Sequence, residues 1–285
     1  MNTTQLIAIY DHITVTLVNI SQKIQHLQST VRTDALVHKS AGDVASQIDR
    51  DAEVWLRQAL QAALPGSAFL GEEGVDFGLA SAQNTAQNTV PISTADLLDT
   101  SRTSPIWLVD PIDGSANYVR GYPHYSVSVA LIVAGEPVLG ITIDPSRGEV
   151  FHAVRGGGAF LNGRPIRCAA QSNLLQCTAA TVFPKPRAAF MDDYLAVFGK
   201  AVKAHAQVRR SGSMALDLAY LAAGRIDTFW ERGMGAWDAA AGIVLLREAG
   251  AQVWAVDGLP LLASQYLAAS TAAVREQFEV VLAKY

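Results

Sequence analysis

The sequence predicts a mixed α/β protein, a single unit with an α+β half over residues 1–165 and an α/β half over residues 166–285. Three observations lead there. Apolar residues recur at helical spacing over residues 3–30 and 44–64, and Pro65-Gly66 closes the second run. Residues 126–133, 138–143 and 150–154 alternate as strands and Asn162-Gly163 makes a good hairpin turn, so an antiparallel sheet is expected. Beyond residue 165, short strands at 179–183, 228–230 and 252–256 interleave with helices at 190–205, 213–223 and 237–249.

Composition narrows the class of function. With 285 residues, half of them apolar and 17% charged, the chain can build one large core or two stacked ones. A formal charge of −4 gives no electrostatic basis for nucleic-acid binding. Lys185, Arg187, Arg209 and Arg210 read mainly as solvated surface, with some local attraction for an anionic substrate. Cys168 and Cys177 are too few for a disulfide framework, which points to a reducing cytoplasm. Residues 1–20 lack a basic leader and carry Asp11 inside the apolar pattern, so they read as an amphipathic helix rather than a signal peptide. No stretch is long and apolar enough to span a bilayer, and no membrane partner is expected.

Several other features read as structural. Trp107, Trp230, Trp237 and Trp254 lie in or beside buried elements, and His124 is assigned a packing or helix-end role. Gly156-Gly157-Gly158 runs into Ala159 and Phe160 without the strand-to-helix context of a phosphate loop, so it reads as a tight connection. Residues 75–105 turn polar and repeat Ala-Gln-Asn-Thr at 82–89, as expected of a mobile insertion, either a spacer or a lid or partner contact near the site.

The chemistry concentrates in Asp110-Pro111-Ile112-Asp113-Gly114-Ser115-Ala116-Asn117, which follows an apolar strand at 106–109. Pro111 cannot donate to a sheet ladder, so the chain is expected to leave the sheet there with two carboxylates at the strand's end. Gly114 permits close approach to a ligand, and the amides of Ser115, Ala116 and Asn117 would open a helix that favours anions. Asp-Gly stretches also cap turns and helices, and Asp110 and Asp113 taken alone fit that reading equally well. Two more glycine-flanked acidic sites, at Glu72 in Gly71-Glu72-Glu73-Gly74 and at Asp238, strengthen the metal reading. If these groups converge, each like-charge pair at about 4 Å costs on the order of 4 kcal/mol at an effective dielectric of about 20. Cations would relieve that repulsion, and all-oxygen donors select Mg2+ or Mn2+ over zinc.

These segments resemble the inositol monophosphatase family of Mg2+-dependent phosphatases. The resemblance is carried by Gly71-Glu72-Glu73, by residues 107–118, and by Trp237-Asp238 running through Gly242 to Glu248-Ala249-Gly250. Lys39 and Asp43 to Asp49, the hairpin from Gly156 to Gly163, and Arg209-Arg210-Ser211-Gly212-Ser213 through Glu231 extend it over most of the chain. Ser46 and Ile48 stand where the family usually has threonines.

The resemblance implies alternating αβαβα layers with the site between two halves, and a homodimer. It implies that Glu72, Asp110, Asp113, Asp238 and the carbonyl of Ile112 hold two or three Mg2+ ions, with Mn2+ as an alternative and Asp49 supporting a weaker site through water. Ser115 stands in for the usual threonine that helps Glu72 orient the attacking water, and Asp110, Glu72 and Ser115 form the catalytic set. Gly114, Ser115, Gly212, Ser213, Met214 and Glu231 would contact the substrate, with Met214 a bulkier wall than usual. The lesser alternative for Glu231 is a solvated loop carboxylate. The implied activity is direct hydrolysis of a small polyol or sugar phosphate by metal-activated water, inositol monophosphate foremost. Ala116-Asn117-Tyr118 argues against a nucleotide bisphosphate phosphatase, while fructose 1,6-bisphosphate and histidinol phosphate stay open as substrates. A different class of function, an interaction or regulatory protein that keeps a phosphatase fold, also stays open.

Overall fold

The computed structural model describes residues 1–28, 40–74 and 95–283, with side chains of the second helix described from residue 47 onward. The expected insertion before residue 95, together with Lys39 and the side chains of Asp43 and Ser46, therefore lies outside the described residues.

Period-two alternation organises the first sheet into two apolar faces. Its strands run in chain order: β1 (Ala68–Gly71), β2 (Ile106–Asp113), β3 (Ser126–Val133), β4 (Glu136–Asp144), β5 (Glu149–Val154), β6 (Gly158–Leu161) and β7 (Arg164–Ile166). Only β1 and β2 pair in parallel; the other neighbours are antiparallel. Trp107, Val109, Val127, Val129, Leu131 and Ile141 point to one face, where they share a core with α1 (Thr3–Gln28) and α2 (Ser40–Ala63). Ile106, Leu108, Ala130 and Ile132 point to the other, against α5 (Met214–Ala222) and α6 (Ala236–Glu248).

A second sheet closes over α5 and α6. It is built in the order β11 (Gln252–Ala255), β12 (Tyr266–Ser270), β10 (Thr228–Arg232), β8 (Thr178–Thr181) and β9 (Gln207–Arg209). Phe229, Leu267 and Ala269 face the middle core, while Trp230, Ala268 and Ala179 face outward under α4 (Met191–Ala204) and α7 (Arg275–Leu282). The layers are thus α, β, α, β, α, as the resemblance implied.

Lying between two sheets, α6 buries residues all round its axis, from Ala239 through Leu246, instead of along one stripe. Its alanines bring it against β4 so closely that a Cβ at Gly140 would overlap the Ala241 carbonyl oxygen and sit 2.9 Å from the Ala241 Cα. At the far end of α6, Glu248 accepts from the amides of Gly156 (2.8 Å) and Gly158 (2.9 Å), which fixes the glycine turn joining β5 to β6. Asn162 and Gly163 take positive φ values of 48° and 73° in the β6–β7 hairpin, the geometry an Asn-Gly turn supplies. His152 is stacked between Tyr10 (3.7 Å) and Phe160 (5.0 Å), and burial pushes it down to about 4, so a neutral ring fastens α1 to the sheet. Among the described residues, no helix is long and apolar enough to cross a membrane.

One expectation about β2 is corrected. The strand continues past Pro111 to Asp113, because its pairing with β3 slips between Asp110 and Asp113 and asks no hydrogen bond of the proline. The sequence pattern also assigned no element to β12, a short apolar run, or to α7, whose Phe278, Val281 and Leu282 do recur at helical spacing but over only eight residues.

Candidate active site

The site forms where the ends of β1 and β2 meet the starts of α5 and α6. Parallel pairing aligns Gly71 with Val109, and the Glu72 amide donates to the Val109 carbonyl at 3.1 Å, which sets Glu72 beside Asp110. Asp110 is 1% exposed and its Oδ1 accepts from the Ile112 amide at 3.0 Å. Asp238 lies in the first turn of α6, where its Oδ2 accepts from the Gly235 amide at 2.7 Å. Carboxylate oxygens of Glu72, Asp110 and Asp238 all fall within 4.8 Å of one another. Asp110 and Asp238 therefore act as local caps and as cluster members together, so the two readings of the sequence are compatible.

Asp113 is placed differently. It does not cap the short helix α3 (Ser115–Val119), whose N-cap is Gly114. Its Oδ2 instead accepts from Ser213 Oγ (2.5 Å) and the Ala215 amide (2.7 Å) at the start of α5, one hundred residues away in the chain for Ser213. It stays electrostatically linked to Glu72 and Asp238 but is not in the 4.8 Å group.

Close backbone packing assembles the wall opposite the carboxylates. At Gly114, with φ of 93°, a Cβ would lie 3.0 Å from the Gly212 carbonyl oxygen and 3.2 Å from that of His124. Asn117 spends both amide hydrogens there, donating to His124 O (2.7 Å) and Ser211 O (2.8 Å). The Asn117 amide itself donates to the Gly114 carbonyl at 2.8 Å, so of the three amides expected to face an anion only those of Ser115 and Ala116 remain at the helix start. Ser115 is exposed at that start. Ser213 is fully buried against Asp113 and Ser126. Met214, read from sequence as a pocket wall, is 2% exposed with its side chain in the middle core. Glu231 lies within β10, one residue before its end, buried rather than solvated, and its Oε2 has no hydrogen-bond partner among the described residues.

Burial and mutual repulsion shift these acids in one direction. Desolvation, with the charges of Asp113 and Glu73 behind it, pushes Glu72 up to about 7. Desolvation and the charge of Asp113 bring Asp238 to about 7. Desolvation raises Asp113 to about 6 against the pull of Ser213. Asp110 and Glu231 are raised well above the usual carboxylate range by burial and neighbouring carboxylates. On α2, Asp49 faces the same field and is pushed up to about 8 by burial, Glu73 and Glu72. A cluster of oxygen donors that resists ionising without a counter-charge suits a hard divalent cation.

These shifts fix the sign of a pH effect. Between the ordinary values of 3.8 and 4.5 and the folded values of about 6 to 8, the folded chain keeps protons the unfolded chain has lost. Stability of the metal-free protein therefore falls as pH rises through that window. The depressed His152 and His205 act in the opposite sense until about pH 7.5, where the unfolded imidazoles have lost their protons, and the raised carboxylates outnumber them. Thermal melts in chelator should show a falling melting temperature from about pH 6.5 to 8, with Mg2+ stabilising most at the upper end. A flat or rising profile would contradict the cluster electrostatics.

Sequence reasoning missed Glu53. Only 5% exposed, it accepts from the Gly74 amide (3.1 Å) and pairs with Arg57 (3.0 Å), and a Cβ at Gly71 would overlap its carboxylate. It thus holds the turn that carries Glu72. The four-residue spacing of Asp49, Glu53 and Arg57 on one helical face was the available signal.

Residues 8–284 match the inositol monophosphatase family. The chain is 37% identical over 264 residues to an inositol-1-monophosphatase of Rhizobium meliloti (strain 1021), covering 91% of this chain and 88% of the relative. It is 40% identical over 231 residues to the Nus factor SuhB of Xylella fastidiosa (strain Temecula1), covering 81% and 75%. Among solved structures, the inositol monophosphatase from Anabaena matches with a TM-score of 0.78 at 28% identity over 98% of this chain and 96% of that one. The extragenic suppressor protein suhB from Bartonella henselae matches with a TM-score of 0.77 at 30% identity over 97% and 100%. With its five-layer fold, its acidic cluster and these matches, the chain belongs to the inositol monophosphatase family.

Proposed function

We propose that the chain is a Mg2+-dependent phosphomonoesterase acting on a small polyol or sugar phosphate, inositol monophosphate foremost. The observation that carries this is the convergence of Glu72, Asp110 and Asp238 within 4.8 Å, two of them anchored by backbone amides. The donors fit the ion: all are oxygens, and their raised pKa values mark a cluster short of positive charge. Glu72, Asp110, Asp238, Asp113 and the carbonyl of Ile112 would hold two ions, and Asp49 would support a third, weaker one; Mn2+ suits the same donors. Bound Mg2+ supplies Lewis-acid stabilisation of phosphoryl charge and acidifies water.

The chain's own residues do the rest. Glu72, on the open side, would accept the proton of the attacking water while the Ser115 hydroxyl helps orient it. The amides of Ser115 and Ala116, at the start of α3, face the phosphate, and Gly114 lets it approach. Gly212 and Ser213 set the position of that wall, and Met214 contributes through its backbone rather than its buried side chain. Glu231 offers an unpartnered buried oxygen to a substrate hydroxyl, which would relieve the cost of leaving that oxygen bare.

Phosphate release from myo-inositol 1-phosphate, glycerol phosphate, histidinol phosphate and fructose 1,6-bisphosphate, with Mg2+ titrated, tests the reading. Mg2+-dependent release that chelator abolishes is expected. The second reading, an interaction or regulatory protein, is favoured by the relatives named Nus factor SuhB at 40% identity. No release from any of these esters together with no Mg2+ binding would decide for it.

Glu231→Gln tests the substrate side. It should lower kcat/KM for polyol phosphates by roughly tenfold or more, the worth of a hydrogen bond to a charged group. An aryl phosphate without hydroxyls should lose little. Equal losses on both would remove Glu231 from substrate recognition.

A further inference from the structure

A second buried carboxylate lies just outside the cluster. Asp217, on the first turn of α5, is 2% exposed, and burial pushes its carboxyl upward. Its polar partners belong to the loops around the site. Ser211 Oγ approaches both of its oxygens at 2.5 Å, and His124 Nε2 stands 3.5 Å from Oδ1 with no hydrogen-bond partner among the described residues. The backbones of the same two partners, Ser211 and His124, are bridged by the side-chain amide of Asn117. Asn117 therefore bridges the loop before α5 and the loop before β3, and Asp217 holds Ser211 in the first while lying beside His124 of the second.

That junction sits next to a proposed metal ligand. Ser211 leads into Gly212, held at φ of 92°, and into Ser213, whose hydroxyl donates to Asp113 Oδ2. One oxygen of Asp113 is thus set by the turn that Asp217 secures, and only the other is available to a cation. We propose that Asp217 is a positioning residue for cation binding: by holding the Ser211 hydroxyl it fixes the Ser211–Gly212–Ser213 turn, and through Ser213 it aims the Asp113 carboxylate. This rests on the reading of the site as a Mg2+ centre.

Partners that orient a ligand in this way change metal affinity by about 10- to 100-fold when removed. A residue that only packs α5 would lower the melting temperature and leave affinity alone. Asn at position 217 keeps the shape and an acceptor for Ser211, whereas Ala keeps neither.

The test is calorimetric titration of Mg2+ into the full chain without substrate, for wild type, Asp217→Ala, Asp217→Asn and Ser211→Ala, well below each variant's melting temperature. Asp217→Ala should weaken Mg2+ binding about tenfold. Ser211→Ala should weaken it severalfold, and Asp217→Asn should stay close to wild type. Wild-type affinity in folded Asp217→Ala would overturn the proposal, as would equal losses in the Asn and Ala variants, which would make the charge and not the hydrogen bond responsible. If Asp217→Ala does not fold, an unchanged affinity in Ser211→Ala overturns it. A wild type that binds Mg2+ but releases no phosphate would defeat the hydrolytic function and leave this test standing. A wild type that binds no Mg2+ would remove the metal centre and the proposal together.

Discussion

Asp110→Asn is expected to abolish turnover while raising the melting temperature of the metal-free protein. Asn keeps the Oδ1 acceptor that Asp110 presents to the Ile112 amide, so the end of β2 has no reason to rearrange. What disappears is a buried charge pressed by Glu72, Asp113 and Asp238. Burial and those carboxylates hold its carboxyl well above the usual range, a cost to the folded chain that Asn does not carry, so the metal-free melting temperature should rise. Activity should fall by about a thousandfold or more, because the variant loses an oxygen that no neighbour replaces. Mg2+ should stabilise the wild type and scarcely affect the variant. Near wild-type phosphate release in saturating Mg2+, or a fall in metal-free melting temperature, would count against this account.

Gly140→Ala should be strongly destabilising, because among the described glycines it is the one whose added Cβ would come closer than 3.0 Å to backbone. A Cβ there overlaps the carbonyl oxygen of Ala241 and stands 2.9 Å from its Cα and 3.0 Å from its carbonyl carbon, all of it backbone that no rotamer can clear. The contact sits between two sheets, where α6 has no free side to move toward. Overpacking of this kind costs about 3 kcal/mol, or a fall in melting temperature of roughly 6 °C or more. Since α6 carries Asp238 in its first turn, its displacement should also weaken Mg2+ binding. Gly140 has an ordinary strand φ, so the same melt on Gly258→Ala, where φ is 75° and nothing lies within 4 Å, measures backbone strain without crowding and separates the two. Equal losses at the two positions would contradict the crowding argument.

The helices α1 and α2 were legible from helical spacing, one face buried and the other wet, while β3 and β4, buried on both faces, were legible as short strand-like runs bounded by turns. The stacking order was not, because α6 is apolar on every side and its fit depends on a missing Cβ at Gly140, which has no periodicity. Within the site, Asp110 and Asp238 were readable because a glycine-flanked acid at an element's end is informative as a cap and as a ligand. The attachment of Asp113 to the start of α5 was invisible, since it joins residues one hundred positions apart. The side chain of Met214 went into the core because its place at the first turn of α5 faces Leu216, Leu218 and their neighbours between the sheets. Pro111 suggested a strand end, yet a slipped register lets the strand continue without its missing donor.

The central claim is that Glu72, Asp110 and Asp238 jointly grip a divalent cation. Anomalous diffraction at the manganese edge, from crystals soaked in Mn2+, tests it most directly. The account predicts a peak at roughly 2.2 Å from oxygens of all three residues, with Asp113 and the Ile112 carbonyl completing the shell. A well-ordered structure with no peak there, or with the three carboxylates turned to separate partners, would contradict it.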